Sequence, residues 1–197
     1  MKSTKKKTSL AMTLALMIGA ALPGAIMLGM TGCAGDRYNR STGEFIDDNG
    51  LKLRVSSALG DNADYKFEHV NVTVFKGTVQ LSGFVNLSVQ KTKAGEIAKN
   101  VNGIRSVENN ITVQEKGERT AGQYIDDKTL TGHVKDALGD NPEYKFDGVK
   151  VAAQNATVQL SGFVNTADQK SRAGDIAKQV PGTKEVVNNI TVKGKLE

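Results

Sequence analysis

The chain has 197 residues, 26 of them Lys or Arg and 21 Asp or Glu, giving a formal net charge of +5 and a calculated pI of 9.2. Four of those bases, Lys2, Lys5, Lys6 and Lys7, sit in the first seven positions; without them 22 bases face 21 acids, too even a balance for a nucleic-acid partner. One Cys and 39% hydrophobic residues exclude a disulfide framework and a wholly disordered chain.

After the cationic start, no charge appears from Leu10 to Met30, the pattern of a secretory signal. The apolar run, about 21 residues, is long enough to span a bilayer at 1.5 Å per residue. Gly19, Pro23, Gly24 and Gly29 interrupt it, however, and it ends in Met30-Thr31-Gly32-Cys33. This end resembles a bacterial lipobox, with Met30 where Leu is usual. An uncleaved anchor and ordinary signal cleavage are the alternatives. Under the lipobox reading, residues 1–32 are a lipoprotein signal peptide and Cys33 becomes the acylated N-terminus, with no free thiol for disulfide or nucleophilic chemistry. By the same resemblance, Ala34 after the cysteine favours the outer membrane. Residues 33–44 read as a flexible tether.

The body matches itself without a gap at an offset of 79 residues, from Phe45/Tyr124 to Val113/Val192. The longest shared block is TVQLSGFVN, at Thr78–Asn86 and Thr157–Asn165. A period this long marks two small domains and not a solenoid. The expected boundaries are 45–115 and 124–194, with a polar linker at 116–123 and a tail at 195–197.

Each copy opens with Ile46-Asp47 or Ile125-Asp126, followed by apolar residues at helical spacing: Leu51, Val55, Leu59 and Leu130, Val134, Leu138. The aspartates are expected to cap this helix, and Gly60 or Gly139 to end it in a left-handed conformation. Val70, Val72, Val74 (Val149, Val151, Ala153) then alternate as in a strand. A break at Lys76-Gly77 (Asn155-Ala156) precedes Val79, Leu81, Val85 (Val158, Leu160, Val164), which is a hairpin signal. A second helix presents Ala94, Ile97, Ala98 and Val101 (Ala173, Ile176, Ala177, Val180), with a Thr166/Gln169 capping box in the second copy only.

Gly95 and Gly174 lie beside that apolar face, where each costs about 1 kcal/mol relative to Ala; close approach of helix to sheet is the expected reason. Gly103 and Gly182 are expected to end the helix, and Gly83 and Gly162 to mark a bulge or close backbone approach in the strand. Val107, Asn109, Ile111, Val113 (Val186, Asn188, Ile190, Val192) form the last strand, in which the asparagines need hydrogen-bond partners. The class is therefore α+β: two tandem α-β-β-α-β domains, each a small three-stranded mixed sheet with two helices on one face.

The Asp-Asp helix, VQLSGFV, A-G-x-I-A-K-x-V-x-G and V-x-N-x-I-x-V together resemble the BON domain, over about 140 residues in two copies. The resemblance implies a non-enzymatic envelope protein, with membrane phospholipid or envelope proteins as partners, no cofactor, and a role in envelope integrity or osmotic-stress protection. Two kinds of tandem relative are implied: an outer-membrane lipoprotein, and a soluble periplasmic, osmotically induced protein of chaperone-like action. It also implies a lipid-contact helix at Lys128, Leu130, Thr131, His133 and Lys135. Those residues support it weakly, because two lysines face Asp127 and Asp136 and bulky aromatics are missing.

Other constellations have bland readings. Asp47-Asp48 and Asp126-Asp127 are adjacent on a helix, about 100° apart, and form no acid-base dyad. Asp61-Asn62-Ala63-Asp64 lacks the glycine and distal glutamate of a calcium loop and reads as turn chemistry. Ser82-Gly83 and Ser161-Gly162 lack the first glycine of a nucleophile elbow. His69 and His133 are not equivalent, leaving no zinc ligand set. Each copy is charge-balanced, with eight charges of each sign in 45–115 and nine in 124–194, so the basic faces of the second helices read as solvated.

Overall fold

A computed structural model describes residues 39–114 and 121–195. The elements run α1 (Thr42–Gly60), β1 (Val70–Phe75), β2 (Thr78–Val85), α2 (Ser88–Lys99) and β3 (Ser106–Val113), then α3 (Ala121–Gly139), β4 (Val149–Gln154), β5 (Thr157–Val164), α4 (Ala167–Gln179) and β6 (Glu185–Val192). Both copies have the expected α-β-β-α-β order. In each, the strand shared by the hairpin and the crossover is central: β1 pairs antiparallel and β3 parallel to β2, and β4 and β6 flank β5 likewise.

The helix ends differ from the sequence-based expectation. Ser41 Oγ accepts the Glu44 N–H at 3.2 Å, and Glu44 Oε2 accepts the Ser41 N–H at 2.8 Å. This capping box satisfies two amides of the first turn and starts α1 inside the segment read as a tether. α3 likewise starts inside the segment read as a linker. Gly60 and Gly139 lie within the last turns and have no positive φ; Asp61 N–H donates to Ser57 O at 2.8 Å and closes α1 in right-handed geometry. In α4 the Thr166/Gln169 box forms as expected. Leu87 has no hydroxyl to offer at the matching position, so only the reciprocal bond from its N–H to Gln90 Oε1 remains.

The core of each copy lies between its helices and one face of its sheet. Leu51, Val55 and Leu59 of α1 and Ala94 and Ala98 of α2 pack on Val72, Val74, Val79, Leu81 and Val85. Leu130, Val134, Leu138, Ala173, Ile176 and Ala177 repeat this packing in the second copy. Each large apolar side chain taken fully from water contributes about 1.5–3 kcal/mol. Every residue of β2 and β5 is buried, although helices cover only one face. The other face of each sheet is covered by the other sheet, so the body has four layers: α1 and α2, two sheets, then α3 and α4.

The strand and helix glycines mark contacts that a side chain would block. Gly83 and Gly162 have φ of +108°, and a Cβ on either would lie 2.0 Å from a backbone carbonyl oxygen, of His69 or Gly148. A Cβ on Gly95 or Gly174 would come within 2.7 or 2.8 Å of Asn109 or Asn188 Nδ2. These amides donate to the carbonyls of Lys91 and Lys170, each at 2.7 Å. The helix glycine thus admits a sheet asparagine that ties helix to strand. Gly103 and Gly182, with φ of +93° and +94°, fall in the turn beyond the helix and not at its cap, because α2 ends at Lys99 and α4 at Gln179.

Candidate functional site

Alternate residues of β2 and β5 point away from the core: Gln80, Ser82, Phe84 and Gln159, Ser161, Phe163. Period-2 alternation fixes that separation of faces. Between the sheets these side chains meet around an approximate two-fold axis. Ser161 Oγ and Ser82 Oγ, 2.9 Å apart, lie near it. Gly162 N–H donates to Gln80 Oε1, and Gly83 N–H donates to Gln159 Oε1. Gln80 Nε2 donates to Asn189 O and Thr191 Oγ1 at 2.9 and 3.0 Å; Gln159 Nε2 donates to Asn110 O and Thr112 Oγ1, both at 2.8 Å. Every pair maps onto its counterpart by the 79-residue offset.

The two ends of this contact differ. At one, Phe75 and Phe163 stack with centroids 5.5 Å apart. Arg40 folds into this end: its guanidinium is 3.2 Å from Asp48 Oδ2, and lies 4.9 Å from the Phe45 centroid and 5.7 Å from that of Phe75. Lys193 of the second copy stands 5.1 Å from the same Phe75 ring. At the other end, Gln154 replaces the first phenylalanine, and a cleft is lined by Glu68, His69, Phe84, Lys128, Thr131 and Gln154.

The buried carboxylates of Asp48 and Asp127 have a role that the sequence reading missed. Asp48 accepts the Lys76 and Gly77 amides at 2.8 and 2.9 Å, and Asp127 accepts those of Asn155 and Ala156 at 3.0 and 3.1 Å. Both residues of each hairpin turn have positive φ: Lys76 49° and Gly77 76°, Asn155 52° and Ala156 62°. The carboxylates stabilise turns that three of these four residues adopt only at a cost. Asp48 shares the buried side of α1 with Leu51 and Val55, which was the available signal. Glu44 is half-buried, and its pKa is lowered chiefly by the Ser41 backbone N–H, then by the Ser41 hydroxyl and the charges of Lys76 and Arg105.

The residues of the implied lipid-contact helix do not converge on one surface. Leu130 belongs to the core and faces the sheet, because it occupies the same apolar stripe as Val134 and Leu138. Lys128 and Thr131 line the inter-domain cleft, and the Thr131 hydroxyl donates to Asp127 O at 2.9 Å. His133 lies on a separate groove with Asp126, Thr129, Pro181, Gly182 and Lys184. Lys135 borders a third depression, with Asn141, Tyr144 and Lys145. The 61–64 and 140–143 loops hold turns: Asn62 and Asn141 Oδ1 accept the Tyr65 and Tyr144 amides, both at 2.8 Å. Among the described residues no group of three or more His, Cys, Asp or Glu is placed to hold a metal. No described helix is long and apolar enough to cross a membrane. Cys33 lies outside the described residues.

Comparison with known proteins gives the fold its relatives. The chain is 34% identical over 158 residues to the osmotically-inducible protein Y of Escherichia coli, covering 80% of this chain and 79% of that one. It is 37% identical over 149 residues to the outer membrane lipoprotein DolP of Haemophilus influenzae, covering 75% and 76%. A 21 kDa hemolysin of Actinobacillus pleuropneumoniae is 32% identical over 152 residues, covering 77% of each. The BON domain model matches residues 47–115 and again 126–194, the two copies whose sheets face each other. The chain belongs to the BON domain family, as a tandem pair.

Proposed function

We propose that this is an exported envelope lipoprotein. Cys33 carries the lipid, and the two BON domains form one non-catalytic body that binds phospholipid or envelope proteins and supports envelope integrity under osmotic stress. The observation that carries the reading is the 37% identity to an outer membrane lipoprotein over three quarters of both chains. The leader supports it, since its uncharged run ends on Met30-Thr31-Gly32-Cys33. A sheet-to-sheet body with its polar side chains paired internally suits a rigid binding platform better than a reaction centre. Palmitate labelling of wild type against Cys33→Ser tests the anchor, and equal labelling sinks it. Flotation of the Cys33→Ser chain with neutral and anionic vesicles tests phospholipid recognition separately.

The match to the osmotically-inducible protein Y, over a slightly longer span, favours a second reading: a soluble periplasmic protein of chaperone-like action. Fractionation separates the two. A soluble periplasmic pool supports the second, and a pelleted outer-membrane pool supports the first.

A further inference from the structure

Because of the approximate two-fold axis, the same backbone positions meet at both ends of the contact between the sheets. At the end away from Arg40 they are Gln114, Gln154 and Asn155. These residues satisfy one another: Asn155 Nδ2 donates to Gln114 Oε1, and Gln114 Nε2 to Gln154 O, each at 3.4 Å. At the Arg40 end the matching residues, 79 positions away, are Lys193, Phe75 and Lys76. Three neutral amides are thus exchanged for a ring and two cations. The fold does not require the exchange, since Lys76 (φ 49°) and Asn155 (φ 52°) hold the same turn conformation.

The cations converge. Lys193 Nζ lies 5.1 Å, the Arg40 guanidinium 5.7 Å and Lys76 Nζ 5.9 Å from the centroid of the one Phe75 ring. Arg105 joins them: its backbone N–H donates to Gly77 O at 2.9 Å, and its side chain covers Gly77 so closely that a Cβ there would lie 3.0 Å from Arg105 Cγ. The contacting carboxylates have other partners as well. Asp48 holds Arg40 and accepts the two turn amides; Glu44 accepts the Ser41 N–H and stands 4.0 Å from Lys76 Nζ. The Lys76 side chain is only 19% exposed. Like charges gathered in partly dry surroundings raise one another's cost, and an anion among them removes it. A phosphate suits cations grouped around a point, because it offers three strong acceptor oxygens and matches the donor fork of a guanidinium.

We propose that this end of the seam binds a phosphate group through Lys76, Lys193 and Arg105, with Arg40 fixed beside them by Asp48. The site does not depend on acylation of Cys33. A free ion and a lipid headgroup share the required chemistry, and two arms of one experiment separate them. Lysine acetylation of the wild-type protein in dodecyl maltoside is followed residue by residue by mass spectrometry. Millimolar inorganic phosphate should slow modification of Lys76 and Lys193 severalfold. Lys99 and Lys178, exposed on the second helices, should be unaffected, and sodium chloride at equal ionic strength should protect none of the four. In the second arm phosphatidylglycerol vesicles replace the phosphate, and protection there alone identifies a headgroup. Lys193→Gln writes in the residue of the amide end and keeps the fold; it should abolish protection of Lys76 in whichever arm shows it. Protection of neither lysine in both arms overturns the proposal, as does protection of Lys76 that survives Lys193→Gln. Flotation with the vesicles without that protection leaves phospholipid recognition standing and removes this site alone.

Discussion

Gln80 and Gln159 exchange places across the contact between the sheets, the amide oxygen of each accepting the N–H of the other domain's strand glycine. Both are almost completely buried. Replacing either by Ala leaves a buried glycine amide without an acceptor and should cost about 1–3 kcal/mol. The double variant Gln80→Ala/Gln159→Ala should split a single urea transition into two, one for each domain. One transition with an unchanged midpoint would show that these amides do not couple the domains.

Asp48→Ala strands two turn amides and should cost about 1–3 kcal/mol in urea unfolding; Asp48→Asn, which keeps one acceptor oxygen, should cost less. In the second copy the same turn offers a gain. Ala156 has φ of 62°, so Ala156→Gly should stabilise by about 0.5–1 kcal/mol. Calorimetry should record a rise of about 1–4 °C.

Gly95→Ala improves helix propensity by about 1 kcal/mol, yet its Cβ would lie 2.7 Å from Asn109 Nδ2. Displacing that amide breaks its bond to the Lys91 carbonyl, and the net result should be a loss of about 1–2 kcal/mol. In an Asn109→Ala background the clash is gone, and Gly95→Ala should then stabilise. A double-mutant cycle without this change of sign argues against the paired arrangement.

The Glu44 carboxylate, bound by the Ser41 N–H, has a pKa below the ordinary glutamate range. A depressed carboxylate contributes stability above its unfolded value and loses it as pH falls through the folded value. The difference in stability between wild type and Glu44→Gln should therefore be present near neutral pH and shrink below about pH 4. Amide exchange in the first turn of α1 measures it, and a difference independent of pH would contradict the capping role.

Element order and the helix-facing core were legible because each signal appears twice, 79 residues apart. The asparagines at 109 and 188 and the helix glycines at 95 and 174 were each read correctly, as a polar group needing a partner and a close approach needing space. Their mutual contact was not visible, because it joins residues on different elements. The start of α1 was misplaced. Ser41 and Glu44 spell a capping box, but Asp47-Asp48 offered a stronger-looking cap close by. Burial of Asp48 against hairpin amides depends on the hairpin's arrival 28 residues later. Polar alternation in β2 and β5 is equally consistent with a solvated face and with one paired against its own copy, so the sequence period could not reveal the four layers. The five residues of the implied lipid-contact helix scattered because 3.6-residue geometry sends Leu130 inward and separates His133 from Lys128.

The nine-residue identity of TVQLSGFVN gains a reason from the approximate two-fold axis. Each central strand is packed by its own helices on one side and by its twin on the other, so a change in one copy is also a change in the surroundings of the second. The helices lie outside that contact and differ more: Leu53 of α1 stands where α3 has Gly132. The duplicated strand is a lock cut from its own key, and the two halves have had to stay alike to keep fitting.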